Sequence, residues 1–326
     1  MTGIVQPPIH AAACLKIYES NGNKIRGKEF LTKIYDKLFL WHSYLYKERD
    51  PNNEGLAFIR HPWESGMDNS PIWDSSLERI KIDEFKYSKY RTDNKKINSE
   101  ERPTDITYER YIKLIEIFKE NKYNEKEILN NSEFIIQDVL FNVLLLKSNY
   151  ALNQIAEILD RKKDIVTTNK WINKTKKGLD KLYQDGFYYD YDMKINKLIK
   201  VKTITGLTPI MYSNKTEEII SVLKKEFIDI ERDNYSISSL SRLDDKFDPI
   251  NYWRGPMWIN LTWLIISGLK DHDIKLAEKI QLNCIKKIET LGFYEYYNSL
   301  NNSGCGVNHF SWTAAIYICL ILDIKF

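Results

Sequence analysis

The feature that most constrains this chain is a helical period repeated almost from end to end. Ten segments place apolar residues at i, i+3, i+4 and i+7: Ile9–Ser20, Lys28–Tyr46, Thr107–Glu120, Ser132–Leu146, Tyr150–Arg161, Thr167–Tyr183, Thr216–Glu226, Met257–Gly268, Asp273–Leu291 and Ser311–Leu322. Tyr111, Leu114, Ile115 and Phe118 form one such stripe, and Ser132 and Asp273 stand where N-caps are expected. One β-like interlude breaks the pattern: residues 186–190 and 198–201 flank Lys194-Ile-Asn196, which predicts a short hairpin. Strands and helices do not alternate, which argues against a parallel sheet. The expected fold class is all-α with one small β-hairpin, and helices of similar length suit a toroid of helical hairpins. No Gly-, Ser- or Pro-rich linker divides residues 1–326, which predicts a single domain.

Composition narrows the functions. Hydrophobic residues at 43%, charged residues at 29% and a mean hydropathy of −0.45 exclude a disordered chain. Lys plus Arg number 48 against 45 Asp plus Glu, and a net charge of +3 argues against a nucleic-acid partner. No apolar run reaches the roughly 18–20 residues of a membrane span. The start, Met1-Thr-Gly-Ile-Val-Gln-Pro-Pro, lacks a basic stretch followed by an apolar one, which predicts a cytoplasmic location. Cys14, Cys284 and Cys319 read as core thiols, no Cys-x-x-Cys occurs, and the histidines have no metal-site spacing, so no metal is expected. Aromatic residues reach 13%, a surplus that suits cores and also sugar faces.

Two motif-like stretches carry no function. Gly22-Asn-Lys-Ile-Arg-Gly-Lys28 lacks the Ser/Thr of a phosphate loop, having Glu29 there, and follows a helix instead of a strand. The basic run 161–177 alternates with Ile165, Ile172 and Leu179 and reads as a solvated helix face. Ile82–Arg102 reads as a charged surface excursion.

Three segments hold chemistry-bearing residues. His61-Pro-Trp-Glu-Ser-Gly-Met-Asp-Asn-Ser-Pro-Ile-Trp-Asp74 packs three carboxylates and two tryptophans into one connector, either a side-chain-stabilised turn or a site. Tyr252-Trp-Arg-Gly-Pro-Met-Trp258 opens a helix, and its Arg254 either holds a ligand or pairs with Asp248 or Asp245. Phe293-Tyr-Glu-Tyr-Tyr297 surrounds Glu295 with aromatics. Two carboxylates, Asp68 and Glu295, with tryptophans nearby are what glycosidic-bond cleavage requires: an acid for the leaving oxygen, a base for water, and apolar faces for sugar rings.

Glu64-Ser-Gly-Met-Asp-Asn-Ser-Pro71, Tyr252-Trp-Arg-Gly-Pro-Met-Trp258 with Asn260, and Phe310-Ser-Trp-Thr-Ala-Ala315 resemble glycoside hydrolase family 63, within it the microbial mannosylglycerate and glucosylglycerate hydrolases. Gln6-Pro-Pro-Ile-His10 and Arg102-Pro-Thr104 are similar to that branch too. The resemblance implies an (α/α)6 barrel, inversion at the anomeric carbon and no organic cofactor. It implies Asp68 as general acid and Glu295 as general base. Trp63, Gly66, Tyr252, Trp253 and Trp258 would line the site of the cleaved sugar, and Gln6, Arg102 and Tyr108 would contact the sugar or its acidic aglycone. His309, a further candidate contact, stands where the glycerate hydrolases are expected to carry Gln. The expected function is hydrolysis of an α-glucoside or α-mannoside, such as glucosylglycerate or mannosylglycerate. The alternatives are an oligosaccharide glucosidase or trehalase-like enzyme, and a truncated, non-catalytic sugar-binding protein.

Members of that family begin well before Gln-Pro-Pro, so this chain is expected to lack the first barrel helices. Ile9–Ser20 and Ser311–Leu322 would then carry apolar flanks, covered by a separately encoded N-terminal segment or a second copy. The other expected partner is a small carbohydrate. Asp68 should be raised by burial beside Trp63 and Trp258 or by a nearby anion. Glu295 should occupy a wetter, hydrogen-bonded place, and Trp63, Trp253 and Trp258 should offer open ring faces.

Overall fold

A computed structural model describes residues 2–92, 97 and 99–326. Its helices are α1 (His10–Ser20), α2 (Lys24–Glu48), α3 (Asp74–Glu78), α4 (Asp105–Glu120), α5 (Glu125–Asn131), α6 (Val139–Ile158), α7 (Lys162–Asp180), α8 (Thr216–Val222), α9 (Ile259–Leu269), α10 (Ile274–Leu291) and α11 (Ser311–Ile321). Short strands are β1 (Phe58–Ile59), β2 (Ile136–Gln137), β3 (Tyr183–Gln184), β4 (Phe187–Tyr188), β5 (Tyr191–Asp192), β6 (Lys197–Leu198), β7 (Tyr294–Tyr297) and β8 (Gly304–Asn308). The chain divides into two compact units: residues 1–66, 117–183 and 191–198 form the first, and 67–116, 184–190 and 199–326 the second.

In the first unit α1, α2, α6 and α7 pack around Ala11, Leu15, Leu31, Tyr35, Leu38, Leu152 and Ile155. The expected break between Leu146 and Tyr150 is absent, because α6 runs unbroken through Lys147-Ser-Asn149. Burial and cross-helix bonds override the weak local propensity of Ser and Asn. Ser148 Oγ meets His42 Nε2 at 3.2 Å, and Asn149 meets His42 Nδ1 at 2.7 Å and the Tyr46 hydroxyl at 2.6 Å. Burial pushes the His42 imidazole down to about 4, so it sits there neutral. Ser132 is not an N-cap; it closes α5, and Asp138 caps α6. The expected hairpin is shifted as well. Its arms are β5 and β6, joined antiparallel to β2 and β1 in a four-stranded sheet of order β1-β2-β5-β6. The apolar flank of α1 includes Ile17, 54% exposed.

The second unit centres on α9, buried nearly all round and packed against α10, α11 and a 3-10 stretch, Ile204–Met211. Gly268 permits that contact, since a Cβ there would lie 2.5 Å from Ile210 Cγ2. α10 is amphipathic, with Leu276, Ala277, Ile280, Cys284 and Ile288 inward and Asp273 accepting the Leu276 N–H at its start, as the sequence implied. β7 and β8 form an antiparallel hairpin that helical periodicity did not reveal. Met257, just before α9, bridges to Tyr297 through N–H···O bonds of 2.8 and 3.0 Å, which ties the hairpin to that helix. α11 exposes Trp312, Ile318 and Ile321. The excursion 82–102 contains two 3-10 turns, Ser88–Tyr90 and Ser99–Glu101, while its residues 93–96 and 98 lie outside those described.

Candidate active site

The motif spanning residues 61–74 separates its three carboxylates chemically. Glu64 lies in the first unit, fully buried at the end of a 3-10 turn, Pro62–Glu64, capped by His61. It accepts from Arg49 at 3.0 and 3.1 Å, from the Arg60 N–H at 2.8 Å and from the Val5 N–H at 3.1 Å. Burial alone would push this carboxyl up, but Arg49, with its hydrogen bonds, and Arg60 outweigh it and hold the group below the usual range. Three expected contacts lie in this unit. Gln6 is exposed, Trp63 is half-buried with its ring tilted on His61 at 4.7 Å, and Gly66 adopts a φ of +76°, which favours glycine.

From Met67 onward the motif belongs to the second unit, where its backbone is pinned. The Trp73 indole donates to Met67 O at 2.7 Å, the Tyr111 hydroxyl donates to Asp68 O, and Ser70 caps the 3-10 turn Pro71–Trp73. Asp74 is ion-paired, with Arg254 and Lys246 each at 3.0 Å. Arg254 therefore uses neither Asp248 nor Asp245 for its charge. The loop instead folds back through its backbone, with Asp248 N–H donating to Arg254 O at 2.9 Å, and a Cβ at Gly255 would lie 2.3 Å from Asp248 O.

Asp68 is different. Burial raises its carboxyl to about 6, opposed by its own backbone N–H and by Arg102, and assisted by the negative charge of Glu295. The electrostatic influence of both groups puts Asp68, Arg102 and Glu295 in one neighbourhood. Tyr252 feels the same three charges, and the Arg102 guanidinium lies 4.5 Å from its ring centre. Tyr252 also holds a φ of +39°, an uncommon conformation for an aromatic residue and of the kind that accumulates at functional sites.

Glu295, on β7, is 8% exposed. Arg102 grips it with two N–H groups, at 2.8 and 3.4 Å, and Val307 N–H donates to it at 3.1 Å. The hydrogen-bonded setting matches the expectation but the wetness does not, because the arginine and the hairpin take the place of water. The tryptophans also differ from expectation. Trp253 and Trp258 are each 2% exposed and stack on one another at 3.7 Å, while Trp258 also stacks on Tyr296 at 4.7 Å. Their reading as open sugar platforms is corrected to a buried aromatic wall, against which Tyr252 packs edge-on. Tyr108 lies under Arg91 at 5.1 Å, and His309 is exposed at the end of β8 with a φ of +58°.

Sequence reasoning missed Glu101, Tyr111, Tyr296 and Gly306. Gly306 had a signal, since an isolated glycine in a strand marks a bulge or a close approach. Here a Cβ would fall 2.5 Å from Glu295 Oε2. Glu101 was hidden in a charged run. Among the described residues no cluster of three or more His, Cys, Asp or Glu is arranged to hold a metal, and no helix is long and apolar enough to cross a membrane.

A carboxyl driven towards neutral pH, within electrostatic reach of a second carboxylate clasped by arginine, on a mostly helical scaffold with aromatic walls, is the kind of arrangement a glycoside hydrolase uses. Residues 1–313 match the mannosylglycerate hydrolase MGH1-like glycoside hydrolase domain, and the chain belongs to that family. It is 35% identical over 319 residues to a mannosylglycerate hydrolase of Thermus thermophilus, covering 97% of this chain and 76% of that protein. It is 33% identical over 333 residues to a mannosylglycerate hydrolase of Rubrobacter radiotolerans, covering 99% and 75% respectively. The crystal structure of a GH63 mannosylglycerate hydrolase from Thermus thermophilus in complex with Tris matches with a TM-score of 0.91 at 33% identity, over 99% of this chain and 78% of that one. The helical fold class expected from the sequence is thus that of the family 63 enzymes, which are (α/α)6 toroids.

Proposed function

We propose that the chain hydrolyses α-mannosylglycerate with inversion, using Asp68 as general acid and Glu295 as general base. The observation that carries this reading is the raised carboxyl of Asp68 within electrostatic reach of the arginine-bound Glu295. Raised to about 6, Asp68 keeps a protonated fraction near neutral pH and gives that proton to the glycosidic oxygen as the C–O bond breaks. Glu295 takes a proton from the water attacking the opposite face of the oxocarbenium-like centre. Half-buried Tyr252, backed by the buried Trp253, Trp258 and Tyr296, contributes to the desolvation that raises the acid. Arg102 supplies a planar cation suited to a carboxylate on the aglycone. The glycerate substrate is supported by the names of the two relatives at 33–35% identity. A cytoplasmic setting is supported by four free thiols, Cys14, Cys284, Cys305 and Cys319.

Proton NMR of the first sugar released from α-mannosylglycerate tests the reaction. The β-anomer is expected, and the α-anomer would contradict inversion. Parallel assays on α-glucosylglycerate, trehalose and malto-oligosaccharides test the substrate, and turnover confined to a neutral disaccharide would remove the glycerate assignment.

A further inference from the structure

The hairpin carrying Glu295 contains a built irregularity. Tyr294 pairs with Asn308 and Tyr296 with Cys305, so Glu295 alone faces two residues, Gly306 and Val307. This is a β-bulge, with its glycine at a φ of +68° in the left-handed region. The bulge turns two successive N–H groups out of the ladder and onto two different carboxylates. Val307 N–H donates to Glu295 at 3.1 Å, and Gly306 N–H donates to Glu101 at 2.8 Å. The hydroxyl of Tyr296, the residue after Glu295, donates to the same Glu101 oxygen at 3.0 Å. Glu101 is thereby fixed to both strands of the hairpin, and its chain neighbour Arg102 is the residue that clasps Glu295.

We infer that Glu101 is a positioning residue for the hydrolytic base. It anchors the end of the segment preceding α4 to the bulge, and so holds the Arg102 guanidinium on Glu295. The anchor acts chiefly on the water-activating side of the reaction, because Arg102 hydrogen-bonds Glu295 and reaches Asp68 only through its charge. This inference rests on the reading of Glu295 as base.

Two substrates separate the sides of the reaction. α-Mannosylglycerate needs both acid and base, whereas α-mannosyl fluoride has a leaving group that departs with little protonation and so reports the base. Glu101→Ala should lower kcat about 10–100-fold on both substrates with KM little changed, as expected for a misplaced reacting group. Glu101→Gln, whose amide oxygen accepts both hydrogen bonds, should recover most of the loss. Adding Glu101→Ala to Arg102→Ala should cause no further fall, because one acts through the other. Tyr296→Phe removes one donor without changing the packing volume and should give an intermediate loss; it carries the test if Glu101→Ala does not fold. Wild-type kcat in folded Glu101→Ala, or in Tyr296→Phe when that variant carries the test, would overturn the inference. So would a loss confined to the glycerate substrate, or full additivity with Arg102→Ala. Glu295→Ala is assayed alongside. Full turnover there removes the base from Glu295, whereas an inactive Glu295→Ala beside a fully active Glu101→Ala overturns the role of Glu101 alone.

Discussion

Glu64 and Asp68 lie four residues apart in one motif, yet the two units of the molecule give them opposite chemistry. In the first unit Glu64 is buried among Arg49, Arg60 and the Val5 N–H, and the cations win over burial. In the second unit Asp68 is half-buried with only partial compensation from Arg102, and desolvation wins. The difference teaches that the same residue chemistry becomes framework or reagent according to how many cations share its desolvation.

Breaking either side of that comparison should have distinct consequences. The largest effect is expected from Asp68→Asn, which keeps the shape and removes the acid. Steady-state turnover of α-mannosylglycerate should fall by about 10²–10⁴-fold. Glu64→Ala should instead act on stability, lowering the unfolding free energy by about 3–5 kcal/mol in denaturant titrations, because Arg49 would be left buried beside an emptied partner site.

The sign of the pH dependence sharpens the contrast. The Asp68 carboxyl is raised from an ordinary 3.8 to about 6, so its burial costs stability as pH climbs through that window, and the full cost is present above pH 6. Asp68→Asn should therefore be more stable than wild type at pH 7–8 by roughly 3 kcal/mol, with the advantage fading as pH falls from 6 to 4 and absent below that. Glu64 is lowered, so its contribution is present at neutral pH and is lost as the solution becomes strongly acid. The smallest stability effect is expected from Gly306→Ala, at about 1–2 kcal/mol for a side chain forced into the left-handed region. Its effect on turnover should be larger than that stability loss implies, because the added Cβ lies against Glu295.

What could be read from the sequence follows the range of the interactions involved. Helical stripes such as 111–118 are local and repeat every turn, so most helices were legible. The continuity of α6 was not, because Ser148 and Asn149 are held helical by His42 and Tyr46, which are about a hundred positions away. The β7–β8 hairpin was hidden because its strands read as an aromatic cluster and a glycine-containing loop, and its register is set by a bulge. At the site, motif density singled out Asp68 and Glu295, and the family resemblance added Arg102. Neither spacing nor residue type could reveal that Arg254 would choose Asp74, or that Glu101 would reach the bulge. Tertiary pairing decides such choices, and a single sequence does not display it. The tryptophans teach the same lesson, since the sequence could not say whether Trp253 and Trp258 would face a sugar or each other.

The central claim is that one motif carries a framework carboxylate and a reagent carboxylate. Carbon-13 NMR titration of protein labelled at the Asp and Glu side-chain carboxyls, with Asp68→Asn and Glu64→Gln used for assignment, tests it directly. The expected result is an Asp68 midpoint near pH 6 and a Glu64 midpoint below the ordinary carboxylate range. An Asp68 resonance already ionised at pH 4, or a Glu64 that titrates alongside it near 6, would contradict it.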